Sequence, residues 1–342
     1  EFGYIFVSAQ RRRGEMEETM NKLLGTVLTS ALTISLLAGC GTSTSSKKKV
    51  GIIQFMDHTS LNEIKDSFDK EMKTLGYDDK NIEYTFKNGQ GDTNTCASIA
   101  NDFAGKNFDC VMAIATPAAQ AVAKLATKTP VVFSAVTDPV GAQLTSSLTK
   151  PDKNITGTSD EVQVDQIIDK ALEINPNTKT IGMLYNKGEA NSVTNIKKAK
   201  AYCAKKNIKV EEATIASVNE AQSAVNVLNS KCDAIFAPND NTVASAMNVV
   251  SDACKKANKP LYVGADSMVK DGGFLSVGID YKELGKETAK IVDKVLKGNK
   301  VENIPVKVFK TNLKIYVNTT TKDKLGLKLP ESITNDSKYT EI

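Results

Sequence analysis

Apolar residues fall along this chain in short runs that alternate with segments of helical period. Val50-Gly-Ile-Ile-Gln-Phe55 is a β-rich run, and Leu61, Ile64, Phe68, Met72 and Leu75 follow at the spacing of one helix face, with Gly76 at the C-terminal cap position. The pattern continues with a strand over 82–86, a helix over 97–104, a buried strand over 110–115, a helix over 118–126 and a strand over 131–135 introduced by Pro130. Strands alternating with helices predict βαβ units, hence a parallel sheet with right-handed crossovers.

The second half repeats the first. Val50-Gly-Ile-Ile is echoed by Ile181-Gly-Met-Leu 131 positions later, Asp109-Cys-Val-Met-Ala by Asp233-Ala-Ile-Phe-Ala at 124, and Pro130-Val-Val-Phe by Pro260-Leu-Tyr-Val at 130. Three anchors in one order at nearly constant offset predict two similar doubly wound α/β lobes. A helix over 281–297 and strands over 304–310 and 313–317 come after both lobes are complete, which predicts several crossings and a hinge. The expected division is lobe one over 49–158 plus 280–299, lobe two over 159–279 plus 300–330, and a frayed tail over 331–342.

Ahead of the first strand the pattern is of another kind. Met20-Asn-Lys precedes an apolar run of about 15 residues, shorter than the roughly 20 of a spanning helix, and then Leu37-Ala-Gly-Cys40. This reads as a secretory leader ending in a bacterial lipobox, with Cys40 as the lipidated residue after removal of 1–39. Gly41 to Lys49 is a polar tether holding the folded part off a membrane, where several acyl chains anchor more firmly than one.

Composition narrows the function. With 41% apolar and 25% charged positions the chain is an ordinary globular sequence, and Lys+Arg 44 against Asp+Glu 40 is too balanced for a nucleic-acid partner. His58 is the single histidine, so a multi-histidine metal site is excluded and most Ser-His or Cys-His catalysis would have to run through it. No phosphate loop, nucleophile elbow or dinucleotide fingerprint occurs. Asp57 beside His58 reads as a solvated loop pair, and Asp92, Asp138, Asp160 and Asp280 show no spacing that singles out two acids. Neither a catalytic residue nor a metal or cofactor is expected. Cys96, Cys110, Cys203, Cys232 and Cys254, odd in number and without a CxxC, read as small buried hydrophobes.

In an open parallel sheet, ligands bind beyond the carboxyl ends of the strands. The residues there are Phe55 to His58, 88–91, Thr116 to Ala119, Thr137 and Asp138 in the first half, and Tyr185, Asn239 to Asn241 and Asp266 in the second. Thr116-Pro117-Ala-Ala suits a helix start, with Pro117 in the first turn and alanines leaving the amides uncovered, and such a start attracts a carboxylate. The same pattern also caps a helix that binds nothing. Asp240 holds the equivalent place in lobe two, where it either receives an ammonium or caps the following helix. Together the two jaws suit a zwitterion such as an amino acid.

Several of these segments have a family likeness. Val50-Gly-Ile-Ile-Gln-Phe55, Ala115-Thr-Pro-Ala-Ala-Gln120, Ala135-Val-Thr-Asp-Pro139, Asn154-Ile-Thr-Gly-Thr-Ser159, Asp240-Asn-Thr-Val-Ala-Ser245 and Gly278-Ile-Asp-Tyr281, behind a lipobox, resemble the ABC-transporter substrate-binding lipoproteins of the TrpX type over about 49–330. The resemblance implies a type I periplasmic-binding-protein fold, an aromatic amino acid as ligand, an ABC permease and its ATPase as partners, and a monomer anchored on the outer face of the bacterial cell membrane. It also implies the carboxylate site at Thr116, Ala118 and Ala119, and the amino-group pocket near Asp240 and Asn241. Phe55 and Tyr185 are the candidate aromatic walls, with Thr137, Asp138, Asp160, Asn239 and Asp266 as further cleft residues. A receptor's ligand-sensing subunit, a secreted enzyme on a related scaffold and a sugar binder are the rival readings.

Overall fold

Strand β1 (Lys48–Gln54) is buried from Val50 onward, as a strand covered by helices on both faces must be. The computed structural model describes residues 47–311 and 313–342, so the leader and Cys40 lie outside the described residues. Strands β2 (Ile82–Asn88), β3 (Cys110–Ile114), β4 (Val131–Ser134) and β5 (Ile155–Ser159) join β1 in a parallel sheet. Helices α1 (Thr59–Thr74), α2 (Thr93–Ala104) and α3 (Thr116–Val122) make the crossovers.

Lobe two starts with α4 (Val164–Ile174). It contains β6 (Thr180–Tyr185), α5 (Ala190–Lys205), β7 (Lys209–Thr214), α6 (Ala221–Asn229), β8 (Ala234–Ala237), α7 (Asn241–Ser245), α8 (Met247–Lys256), β9 (Leu261–Val263), α9 (Asp266–Lys270) and β10 (Leu275–Gly278). Its strand order, β7-β6-β8-β9-β10, reproduces the β2-β1-β3-β4-β5 of lobe one. The repeated residues do the same work twice. Asp109 accepts the backbone N–H of Lys49 and Asp233 those of Lys179 and Thr180, tying the start of each lobe's first strand to its third. The carbonyls of Pro130 and Pro260 accept Val111 N–H and Ile235 N–H, each at 2.9 Å.

The chain then returns to lobe one as α10 (Tyr281–Leu296), which lies against α1. Next, β11 (Lys307–Val308) pairs with β5, so the segment just past 300 completes the lobe-one sheet instead of joining lobe two as expected. The third crossing leads to β12 (Lys314–Val317), antiparallel to β10. The tail is ordered as well. After α11 (Thr319–Lys324) and α12 (Glu331–Thr334), which buries Ile333, β13 (Tyr339–Glu341) pairs with β12 at the sheet edge. Backbone pairing of this kind fixes a terminus that composition alone marks as free. The five cysteines are buried free thiols, as their apolar surroundings suggested.

The α10–α1 contact depends on Gly285. A Cβ there would overlap the Ile64 carbonyl and the Ser67 hydroxyl, and the former is backbone that cannot turn aside. Gly285→Ala is expected to lower unfolding free energy by about 1–3 kcal/mol in denaturant titration despite alanine's better helix propensity.

Candidate ligand site between the lobes

The carboxyl ends of both sheets face each other across a small cavity of about 10 Å³, enough for one water molecule at most. The lobes are therefore closed, and polar side chains hold them. Thr137, after β4, accepts a hydrogen bond from Asn239 Nδ2 (2.8 Å), after β8. His58 at the start of α1 bonds Asn241 Oδ1 through Nε2 at 3.1 Å, and Ser60 Oγ lies 2.5 Å from Ser267 Oγ. Outside the cavity, Lys270 Nζ of α9 reaches Glu63 Oε1 of α1 at 2.9 Å and Asp266 at 2.8 Å.

Asp160 sits at the first crossing, immediately past β5, and lines the cavity. Its Oδ1 accepts the Thr137 hydroxyl (3.0 Å), and its Oδ2 accepts Asn239 Nδ2 (2.7 Å) and the Tyr281 hydroxyl (2.7 Å). Asn195 Nδ2 donates to Asn239 Oδ1 at 2.7 Å, which turns the Asn239 amide so that its nitrogen faces Asp160. The carboxyl is only 6% exposed, and among the described residues it meets no Lys or Arg within salt-bridge distance. Burial pushes its pKa up, and the three donors offset part of that rise.

Asp240 has a different role from the expected ammonium acceptor. It is fully buried, its Oδ1 accepts Val243 N–H (2.8 Å) as the cap of α7, and its Oδ2 accepts Asn186 N–H and Ser192 Oγ, both at 2.6 Å. With both oxygens engaged by its own lobe, it is absent from the cavity wall. Burial and the neighbouring Glu189 raise its pKa to about 7.

The other candidates separate in the same way. Thr137, Asn239 and Asn241 line the cavity. Phe55 does not, because its ring belongs to the apolar core of lobe one. Tyr185 packs against the second apolar cluster, in lobe two, does not line the cavity, and donates to Glu212 at 2.9 Å. Asp138 caps its own turn through Gly141 N–H (2.8 Å), and Asp266 pairs with Lys270. Thr116, Ala118 and Ala119 are buried at the mouth of α3 without reaching the cavity wall, and the Thr116 hydroxyl has no hydrogen-bond partner. Just before it, Ala115 has φ +80° and ψ +154°, a conformation that favours glycine, and Ala135, which lines the cavity, has φ +55°. Such strain, on the order of 1–3 kcal/mol per residue, gathers where a fold serves a ligand.

His58, Asn191 and Tyr281 also line the cavity, and sequence reasoning did not assign them. His58 lies in the window after β1, but adjacency to Asp57 makes it look like half of a solvated pair, whereas it is in fact bonded to Asn241 across the cleft. Tyr281 follows β10 by three residues, so the rule that found Thr137 would also have found it. Asn191, inside α5, gives no local signal.

The chain matches the family model described as ABC transporter substrate binding protein over residues 49–340. It belongs to that family. It is 33% identical over 299 residues to the tyrosine-binding protein of Clostridioides difficile (strain R20291), which covers 83% of this chain and 87% of that one. The crystal structure of the ABC domain in complex with L-Trp from Streptococcus pneumonia matches with a TM-score of 0.81 at 38% identity, over 86% of this chain and 100% of that one. The ligand-free, open structure of a Clostridium difficile substrate binding protein with adhesive properties gives 0.65 at 34% identity, over 86% and 99%. The overall shape here is thus nearer to the L-Trp complex than to the open form. More distant solute-binding proteins share the same two-lobed, type I periplasmic-binding-protein fold. Substrate-binding proteins of ABC transporters act outside the cytoplasm, and no helix among the described residues is long and apolar enough to cross a membrane.

In this substrate-binding protein, closure desolvates His58 and lowers its pKa from 6.5 to about 4, although Asn241 and Asp57 favour the charged form. A base depressed in the closed state adds stability above its solvent pKa and loses it as pH falls toward the depressed value. Between pH 7 and pH 5 the His58 contribution to the closed form should fall by about 2 kcal/mol relative to an open form that solvates the ring, opposed in part by Asp160, whose pKa burial raises. Small-angle scattering should show the ligand-free protein expanding over that interval, with His58→Asn expanding less. Equal expansion would remove His58 from the closing equilibrium. Asp240→Ala strands three buried donors and should cost about 2–4 kcal/mol in denaturant unfolding.

Proposed function

We propose that this protein captures an aromatic amino acid, tyrosine, tryptophan or phenylalanine, between its lobes and presents the closed form to an ABC permease and its ATPase. One observation carries the reading. A carboxylate buried in the cleft wall, ringed by neutral donors and lacking a cation, is costly by itself and is matched by a ligand ammonium. Asp160 takes that role. The ligand carboxylate goes to the Thr116–Ala119 segment, where a buried hydroxyl lacks a partner and the backbone is held in strain. The tyrosine-binding relative and the L-Trp complex support the aromatic class, and Tyr281, not Phe55 or Tyr185, is the aromatic residue in the cavity wall.

In this reading the protein binds and releases without catalysis and acts as a monomer. Lipidated Cys40 anchors it to the outer face of the membrane, and no nucleic acid takes part.

Because the closed cavity is far smaller than an amino acid, the ligand enters an open form and favours closure by touching both lobes. A thermal-shift screen of the twenty amino acids should single out the aromatic ones. Ligand at 100 times its Kd adds about 2.7 kcal/mol of stability. Asp160→Asn should weaken binding in calorimetry by about tenfold or more. Loss of all aromatic binding from the screen, or unchanged affinity in Asp160→Asn, defeats the reading.

A further inference from the structure

The cavity has two ends of different chemistry. Thr137, Asp160, Asn239 and Tyr281 make the polar end through the bonds given above. At the other end, His58 and Leu61 lie three residues apart at the start of α1, and Asn241 and Ala244 lie three apart on α7, so each pair shares one helix face. The bond from His58 to Asn241 brings the two pairs together, and Met268 adjoins them beside Ser267, the partner of Ser60. This end is apolar apart from the imidazole, the amide and the Ser60 hydroxyl, which is engaged by Ser267.

The tautomer of the imidazole is fixed from behind. Glu189 accepts the backbone N–H groups of Asn241 (3.1 Å) and Thr242 (3.0 Å), one on each carboxylate oxygen. It also accepts the Thr242 hydroxyl at 2.8 Å and Asn241 Nδ2. Since a carboxylate only accepts, the nitrogen of the Asn241 amide faces Glu189 and its oxygen faces His58. His58 must then donate from Nε2, which leaves Nδ1 as a bare acceptor. That nitrogen is buried and has no hydrogen-bond partner. A buried acceptor left unpaired costs about 1–3 kcal/mol, so its persistence in a cavity wall needs a reason.

We propose that His58 Nδ1 selects the ligand's side chain, accepting a hydrogen bond from a ring that carries a donor, so that phenol and indole side chains are preferred to a plain phenyl. The inference rests on the aromatic amino-acid reading above and deepens it. Leu61, Ala244 and Met268 supply apolar contact common to all three rings, while Nδ1 supplies the difference. A pocket that only packs a ring distinguishes phenylalanine from tyrosine weakly, whereas one with an unpaired polar atom penalises the ligand that leaves it unpaired.

The test is calorimetry with L-tyrosine, L-tryptophan and L-phenylalanine at pH 7.5 on the wild type, His58→Leu and His58→Asn. The leucine removes the acceptor, and the asparagine puts an amide oxygen near the place of Nδ1. In the wild type, tyrosine and tryptophan should bind more tightly than phenylalanine. In His58→Leu that preference should shrink by about three- to tenfold, read as the ratio of affinities so that any loss common to the three ligands cancels, and His58→Asn should recover part of it. A tyrosine-to-phenylalanine ratio that is the same in all three proteins overturns the selection role while leaving aromatic binding intact. If none of the three amino acids binds the wild type, it is the functional reading that has failed.

Discussion

A negative charge removed from water must find compensation, and Asp160 finds its own in donors drawn from both lobes. The buried carboxylates Asp240, Glu189 and Asp266 draw their partners from within lobe two. Asp240 caps a helix and ties two loops, and Glu189 holds the start of α7 with four donors from Asn241 and Thr242. Asp266 has Lys270. Among the described residues Asp160 has hydroxyls and an amide but no cation, and those donors come from both lobes and from the crossing at Tyr281. Its environment exists only when the lobes meet, so the electrostatics of one side chain are coupled to the hinge.

The fold was legible because burial on both faces leaves a strong mark on sequence. Continuous apolar runs such as Val50 to Ile53 and Val111 to Ile114 separate from helices with one apolar face, and the duplication shows in paired roles, Asp109 with Asp233 and Pro130 with Pro260. What escaped was pairing that depends on partners far along the chain. Lys307–Val308 carries two residues' worth of strand signal, and only the free edge of β5 decides which lobe it joins. The tail around Tyr339–Glu341 is polar, and its order comes from the edge of β12.

The site was legible by position and less so by role. Looking just past the carboxyl ends of the strands finds Thr137, Asn239 and Asn241, but cannot tell an acid that faces the cleft from one that caps a helix. Asp240 and Asp160 both follow strands and both are buried. The difference lies in the neighbouring donors: the amides of Asn186 and Val243 already claim Asp240, whereas Asp160 leaves its strand at the crossing where both lobes contribute. Aromatic residues misled for a similar reason. Phe55 stands at the end of a strand, yet it is buried in the core, and Tyr185 packs against the lobe-two core with its hydroxyl on Glu212.

Closure without ligand draws on direct bonds between the jaws, Thr137 with Asn239, His58 with Asn241 and Ser60 with Ser267, together with the Lys270–Glu63 pair outside the cavity. Net contributions of about 0.5–1.5 kcal/mol for each neutral hydrogen bond make this a balance of a few kcal/mol, offset by desolvation of His58 and Asp160. The two sets of groups respond differently to a bound amino acid. The Thr137–Asn239 bond at the polar end must part to admit it and is replaced by bonds to the ligand. The Lys270 bridge lies outside and can form in either case. Affinity then reports the ligand's bonds minus the direct ones it displaces, and a solute that cannot meet Asp160 displaces them without return. Selectivity for a zwitterion follows from that difference more than from the shape of the cavity.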